Sequence, residues 1–165
     1  MANNKDLLVR WLNDAYAMEH QLIPVLENHA KDFKSSPPAQ QRVRQHIDET
    51  RRHAERMEQC VKRLGTSPST MKSTLGTLMG SAQAISTGMF RDELVKNALS
   101  DYAAEQFEVA CYKALISAAQ EQGEPEIARA CEENMREDEA MAQWLNQQLP
   151  TVVHEAMQPA ARSRE

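Results

Sequence analysis

The sequence predicts an all-α fold: a bundle of four long helices with a long crossover between the second and the third. Three observations predict it. Aromatic residues make up only 5% of the 165 positions, and Gly and Pro number five and seven, while Ala, Glu, Gln, Leu, Met and Arg abound, a mix that favours helix over strand. Apolar residues recur at helical spacing in four long segments. Proline or glycine marks the boundaries between those segments.

The first helix is predicted to start near Asn3 or Asn4, whose side chains can cap it, and to run to about Phe33, with Pro24 kinking it or removing one backbone bond. Taking Ala15 as reference and turning roughly 100° per residue, Leu8, Leu22 and Leu26 fall within about 20° of it. Glu19 lies only about 40° from that line, so a carboxylate sits in the apolar stripe. An ionised carboxylate in a core costs several kcal/mol unless it is paired or holds a cation. After Lys34-Ser-Ser-Pro-Pro38, the second helix runs from about Pro38 to Leu64 and ends at Gly65. Its stripe is Val43, Ile47, Thr50, Ala54, Met57, Val61 and Leu64, with His46, Glu49 and His53 together on one shoulder.

Residues 65 to 90 hold four of the five glycines and many Ser and Thr. Within them, Thr70 to Ser86 reads as a short extra helix, amphipathic through Met71, Leu75, Leu78, Met79 and Ala82. This connection is far longer than an antiparallel neighbour needs, so it is read as a crossover along the bundle. The third helix runs from about Arg91 to Gln122 on a stripe of Leu94, Ala98, Tyr102, Val109, Tyr112 and Ile116. Glu105 is at its centre, with Asp101 and Glu108 at its edge. Gly123 and Pro125 open the fourth helix, which runs to about Gln148 on Ile127, Cys131, Met135, Ala142, Leu145 and Leu149. Asp138 is central there and Glu137 takes the shoulder. Pro150 is read as the stop. Residues 1–150 then form a single domain, and 151–165 a short, partly disordered extension that could add one helical piece.

The two halves echo one another. The first hairpin offers Glu19, then Glu49 with His53, and the second offers Glu105, then Glu137 with Asp138. Two such hairpins joined by a long crossover describe a ferritin-like four-helix bundle. Carboxylates on four facing helices, with imidazole, suit two first-row metal ions, and oxygen and nitrogen donors favour iron or manganese over zinc. Tyr16, Tyr102 and Tyr112 read as core aromatics able to hydrogen-bond a ligating carboxylate.

A net charge of −5 argues against a nucleic-acid binder, which carries a concentrated basic patch. Arg42 to Arg63 is interleaved with acids and reads as a solvated, ion-paired face. Cys60, Cys111 and Cys131 are an odd set without metal-site spacing, read as reduced and buried. No apolar run reaches membrane-spanning length and no signal-peptide pattern opens the chain, so a cytoplasmic protein without a membrane partner is expected. No nucleophile elbow, phosphate loop or dinucleotide fingerprint is present.

Over roughly residues 6 to 150 the chain resembles the YciE/YciF-type stress-response family of the ferritin-like superfamily. The matching residues are Asp14, Tyr16, Glu19, Gln21 and Leu22 in the first helix. In the second they are His46-Ile-Asp-Glu-Thr50, Glu55-Arg56 and Glu58-Gln59. Glu105, Glu108 and Tyr112 match in the third helix, and Glu133 and Glu137-Asp138 in the fourth. The resemblance implies a bacterial cytoplasmic protein, commonly a homodimer, with a buried carboxylate-rich dimetal centre. Two departures stand out: ferritin-like diiron enzymes carry Glu-x-x-His on the second and fourth helices, whereas here the second helix offers Glu49 and His53 four apart, or His46 and Glu49 in reversed order, and the predicted fourth helix has no histidine. Asp138 also stands where a longer Glu is expected.

The function expected is that of a dimetal carboxylate protein of stress response, with iron foremost and manganese as the alternative, able to react with peroxide or dioxygen. Glu19 and Glu105 are assigned as terminal or chelating ligands, Glu49 and Glu137 as bridging or shared ligands and His53 as the nitrogen ligand. His46, Glu108 and Asp138 are alternates. The competing expectation is a non-catalytic structural or interaction protein, its interior satisfied by hydrogen bonds and water and its 70 to 86 segment serving as a partner surface.

Overall fold

The structure, a computed structural model, describes residues 3–31, 36–69 and 92–158. Four helices account for almost all of them: α1 (Asn4–His29), α2 (Pro37–Arg63), α3 (Glu93–Glu121) and α4 (Pro125–Met157). The expected short helix at 70–86 and the tail from 159 lie outside the described residues. The α1–α2 and α3–α4 hairpins form the two largest interfaces. Bonds from His53 to Glu137 and from Arg63 to Glu124 run α2 and α4 antiparallel. Those from Tyr112 to Glu19 and from His29 to Asp101 do the same for α1 and α3.

The helix ends follow local chemistry. Asn3 caps α1 in a reciprocal box with Asp6, the Asn3 side chain accepting from the Lys5 N–H and Asp6 reaching back to the Asn3 N–H. At its other end α1 stops at His29, short of the predicted Phe33, as the Lys31 N–H turns to the Asn28 carbonyl at 3.0 Å. Helices α2 and α3 end at Gly65 (φ +81°) and Gly123 (φ +69°). In each, the next N–H reaches back five residues, from Thr66 to Val61 and from Glu124 to Ala119, and the left-handed turn this requires is one that glycine adopts without strain.

Pro150 does not stop the last helix, contrary to the sequence reading. α4 continues through it to Met157. Proline removes a single N–H and crowds the preceding turn, but the turn beyond buries Val152 to 5% exposure. On α3 the buried face is also rotated from the predicted stripe: Asp101 and Glu108 are fully inside, while Leu94, Tyr102 and Ile116 are only partly covered.

Two apolar clusters fill the bundle. One gathers Leu8, Leu12, Met57, Val61, Leu115, Ile127 and Cys131, and the other Met18, Leu22, Leu26, Val43, Ile47, Met141 and Leu145. His53, Glu105 and Asp138 fall between them along α2, α3 and α4, and Glu19 lies at the edge of the second cluster on α1, between Met18 and Leu22. Among the described residues no helix is long and apolar enough to cross a membrane.

Candidate metal centre

The polar layer between the clusters is deeply buried. Glu19, His53 and Asp138 are 0% exposed, His46 and Glu105 1%, and Glu108 2%. Three acids and a histidine leave orphaned atoms here: among the described residues, Glu19 Oε2, His53 Nδ1, Glu105 Oε2 and both oxygens of Asp138 have no hydrogen-bond partner. Buried polar atoms are nearly always satisfied, so such a cluster calls for a missing ligand or solvent.

The orphans converge on Asp138. On one side His46, Glu105 and Asp138 each offer a ligand atom, all within 4.8 Å of one another. On the other side His53 Nδ1 lies 3.6 Å from Glu19 Oε2 and 3.4 Å from Asp138 Oδ1. Each group brings one imidazole and two carboxylates, counting Asp138 in both. Among the described residues the His46–Glu105–Asp138 trio is close enough to hold one ion as it stands, and the oxygen and nitrogen donors of both groups suit first-row cations.

The outer atoms of the histidines are held by other acids. His46 Nδ1 meets Glu49 Oε2 at 3.0 Å and its Nε2 meets Glu105 Oε1 at 2.9 Å. His53 Nε2 meets Glu137 Oε2 at 2.7 Å. Glu49 also accepts from Arg42 at 3.1 Å and Gln45 at 2.9 Å, and Glu137 from Arg56 at 3.0 Å. Glu49 and Glu137, assigned from the sequence as bridging or shared, thus bond arginines (and, for Glu49, Gln45) and meet the imidazoles on their far side. Asp138, an alternate in that reading, lies close to both His53 and the His46–Glu105 pair.

Electrostatics follow from crowding acids in a dry interior. Burial pushes the Asp138 carboxyl well above its usual range, and Glu105 and Glu19 push it further. Burial does the same to Glu108, reinforced by Asp138, Glu19 and Glu105. Burial would lower His46, but Glu105 and Glu49 outweigh it and raise it to about 9. His53 is likewise raised, burial being overcome by Glu19 and Glu137. Glu137 is brought down to about 2, first by its bond from His53 and then by Arg56. Protons on the imidazoles and carboxyls thus supply the neutralising charge that bound cations would replace.

Sequence reasoning missed several partners. Tyr112 was legible as a carboxylate partner, and its hydroxyl does donate to Glu19 Oε1. Asn134, which donates to the Tyr112 oxygen at 2.9 Å, carried no signal. Nor did the buried pair of His29 Nδ1 and Asp101 Oδ1 at 2.7 Å.

A crystal structure of a protein from Xanthomonas campestris pv. campestris is 30% identical, with 94% of this chain and 97% of that one covered at a TM-score of 0.80. The Escherichia coli stress protein YciF is 23% identical over 93% and 99% of the two chains, with a TM-score of 0.77. The bacterioferritin of Desulfovibrio desulfuricans, whose structure describes a diiron site in different catalytic states, is 20% identical over 100% and 97%, with a TM-score of 0.73. The fold is therefore ferritin-like, and the expected likeness to YciF-type proteins holds. With residues 3–158 matched by its profile, the chain belongs to the family described as Domain of unknown function (DUF892).

Proposed function

We propose that this protein is a dimetal carboxylate protein of bacterial stress response, with iron foremost and manganese as the alternative. The observation that carries the reading is the set of five buried, unpartnered oxygen and nitrogen atoms facing one another inside the bundle. Glu19, His53 and Asp138 would hold one ion, and His46, Glu105 and Asp138 the other, with Glu108 as a further carboxylate beside them. When bound, a reduced metal pair would supply electrons to peroxide or dioxygen. The chain's own residues orient and insulate. Glu49 and Glu137 hold the outer nitrogens of the imidazoles, which fixes their ring orientation. The apolar clusters at either end exclude bulk water and strengthen every charge interaction in between. The support from comparison is the ferritin-like fold shared with a diiron protein and with a stress protein. A cytoplasmic homodimer is part of the same proposal, resting on the resemblance alone.

Elemental analysis of purified protein tests it. We expect iron or manganese at about two ions per chain, and loss of both in Glu19→Ala with Glu105→Ala. Folded wild-type protein that stays metal-free after growth with ample iron and manganese would rule the reading out.

A second reading, a structural protein without metal, draws on the hydrogen bonds that already satisfy part of the interior, such as those from His46 to Glu105 and from Tyr112 to Glu19. Thermal melting separates the two. The dimetal reading predicts a clear fall in Tm after reduction and chelation, because ligand binding to the native state adds to stability. The structural reading predicts none.

A further inference from the structure

We infer that Arg56, on the outer side of α2, is a positioning residue that sets the binding direction of two ligands, Glu19 and His53, without touching either. The inference rests on the dimetal reading above and follows from the donors and acceptors each group possesses. Arg56 is a permanent cation with donors only. Its Nη1 donates to Asn134 Oδ1 at 2.9 Å and to Glu137 Oε2 at 3.0 Å, and its Nη2 donates to Glu133.

The first branch runs through the amide. Because Arg56 can only donate, the carbonyl oxygen of Asn134 faces it, and the Asn134 Nδ2 is turned inward to donate to the Tyr112 oxygen at 2.9 Å. A phenol has one proton. With its oxygen accepting from Asn134, that proton points at Glu19 Oε1. Oε1 is thereby occupied, and Oε2, which has no partner, is the oxygen left to face a cation. Glu19 is held as a one-oxygen ligand.

The second branch runs through the acid. Glu137, anchored by the same Nη1, meets His53 Nε2 at 2.7 Å. A carboxylate there requires a proton on Nε2, which directs Nδ1 inward, 3.6 Å from Glu19 Oε2 and 3.4 Å from Asp138 Oδ1. One guanidinium thus orients both unshared donors of the Glu19–His53 position. The His46–Glu105 position has its own support in Glu49, Arg42 and Gln45 and is independent of Arg56.

Cobalt(II) titration of the metal-depleted full chain tests this through its visible ligand-field spectrum. Wild type is expected to bind two cobalt ions in two resolved phases. In Arg56→Met, one phase weakens by about 10- to 100-fold, the usual cost of losing an outer support, and its absorption bands shift, while the other is unchanged. Tyr112→Phe, which frees Glu19 Oε1, shifts the same bands. Arg51→Met, which removes an α2 cation bonded only to surface acids Glu27 and Asp48, changes neither phase. Should Arg56→Met fail to fold, Asn134→Asp reverses the first branch alone by offering the Tyr112 oxygen an acceptor in place of a donor, and is expected to draw the phenol proton from Glu19 and reproduce the band shift of Tyr112→Phe. Two unaltered phases in folded Arg56→Met, or in Asn134→Asp where Arg56→Met does not fold, would overturn the inference and leave the dimetal reading standing. Wild type that takes up no cobalt would overturn both.

Discussion

Asp138 shows how an unfavourable residue can be kept for what it binds. It is wholly buried, both its oxygens lack partners, and burial together with neighbouring acids pushes its carboxyl well above the usual range. In metal-free protein such a group works against folding, since its desolvation and the crowding of like charges are offset only by protonation and by His53 nearby. Asp138→Asn removes the ionisable group at nearly constant volume. We expect it to stabilise the chelated protein by on the order of 1–3 kcal/mol, measured by denaturant melts at pH 7.5, while abolishing tight metal binding. Lower stability of the Asn variant under chelation would mean that Asp138 is satisfied as it stands. Glu19 and Glu105, which the helical spacing placed in apolar stripes, are inside as read. Asp138, central in its predicted stripe, is inside and Glu137, on the shoulder, is at the rim, as read; what was not legible is that Glu137 bonds the outer nitrogen of His53. Side chains one residue apart on a helix point about 100° apart, and which partner the shoulder residue meets depends on how α4 is rotated against α2, a matter of packing across the bundle.

At the level of elements, the helix starts and the glycine stops were readable because capping and left-handed turns are local chemistry. Asn3, Gly65 and Gly123 act where their residue types say they should. Pro150 misled for a physical reason. Its local cost is offset by a contact further along, the burial of Val152, and tertiary packing routinely overrides propensity in this way. Val152→Ala removes two buried carbon groups and is expected to cost about 1.6 kcal/mol by the usual value per group, read as a lower denaturant midpoint with unchanged slope. No cost would mean that the turn beyond Pro150 does not dock. The Arg56–Asn134–Tyr112 chain was equally invisible beforehand, because its members lie on three helices and meet only through the register of α2, α3 and α4.

For the whole molecule, stability and metal binding should respond to pH in opposite directions. His46, raised from 6.5 to about 9, contributes stability that is complete below pH 6.5 and lost as pH rises through about 9. Asp138 and Glu108, raised above their ordinary 3.8 and 4.5, act in the same sense, destabilising once the unfolded chain ionises. Glu137, lowered to about 2, contributes above 4.5 and loses its contribution as pH falls toward 2. Chelated protein should therefore melt highest in mildly acidic buffer and lower at pH 9, as circular dichroism would show. Metal affinity should climb over the same interval, since each ion displaces protons from His46 and His53. A metal-free Tm that rises toward pH 9 would contradict the assigned pairings of His46 with Glu105 and Glu49.

The central claim is that the polar layer between the two apolar clusters holds a pair of metal ions. Anomalous-scattering maps collected at the iron and manganese edges on crystals grown after anaerobic reconstitution test it most directly. The account predicts two peaks per chain, one among Glu19, His53 and Asp138 and one among His46, Glu105 and Asp138, with Asp138 shared. Maps without a peak in the bundle interior, with His46 still bonded to Glu105, would contradict it.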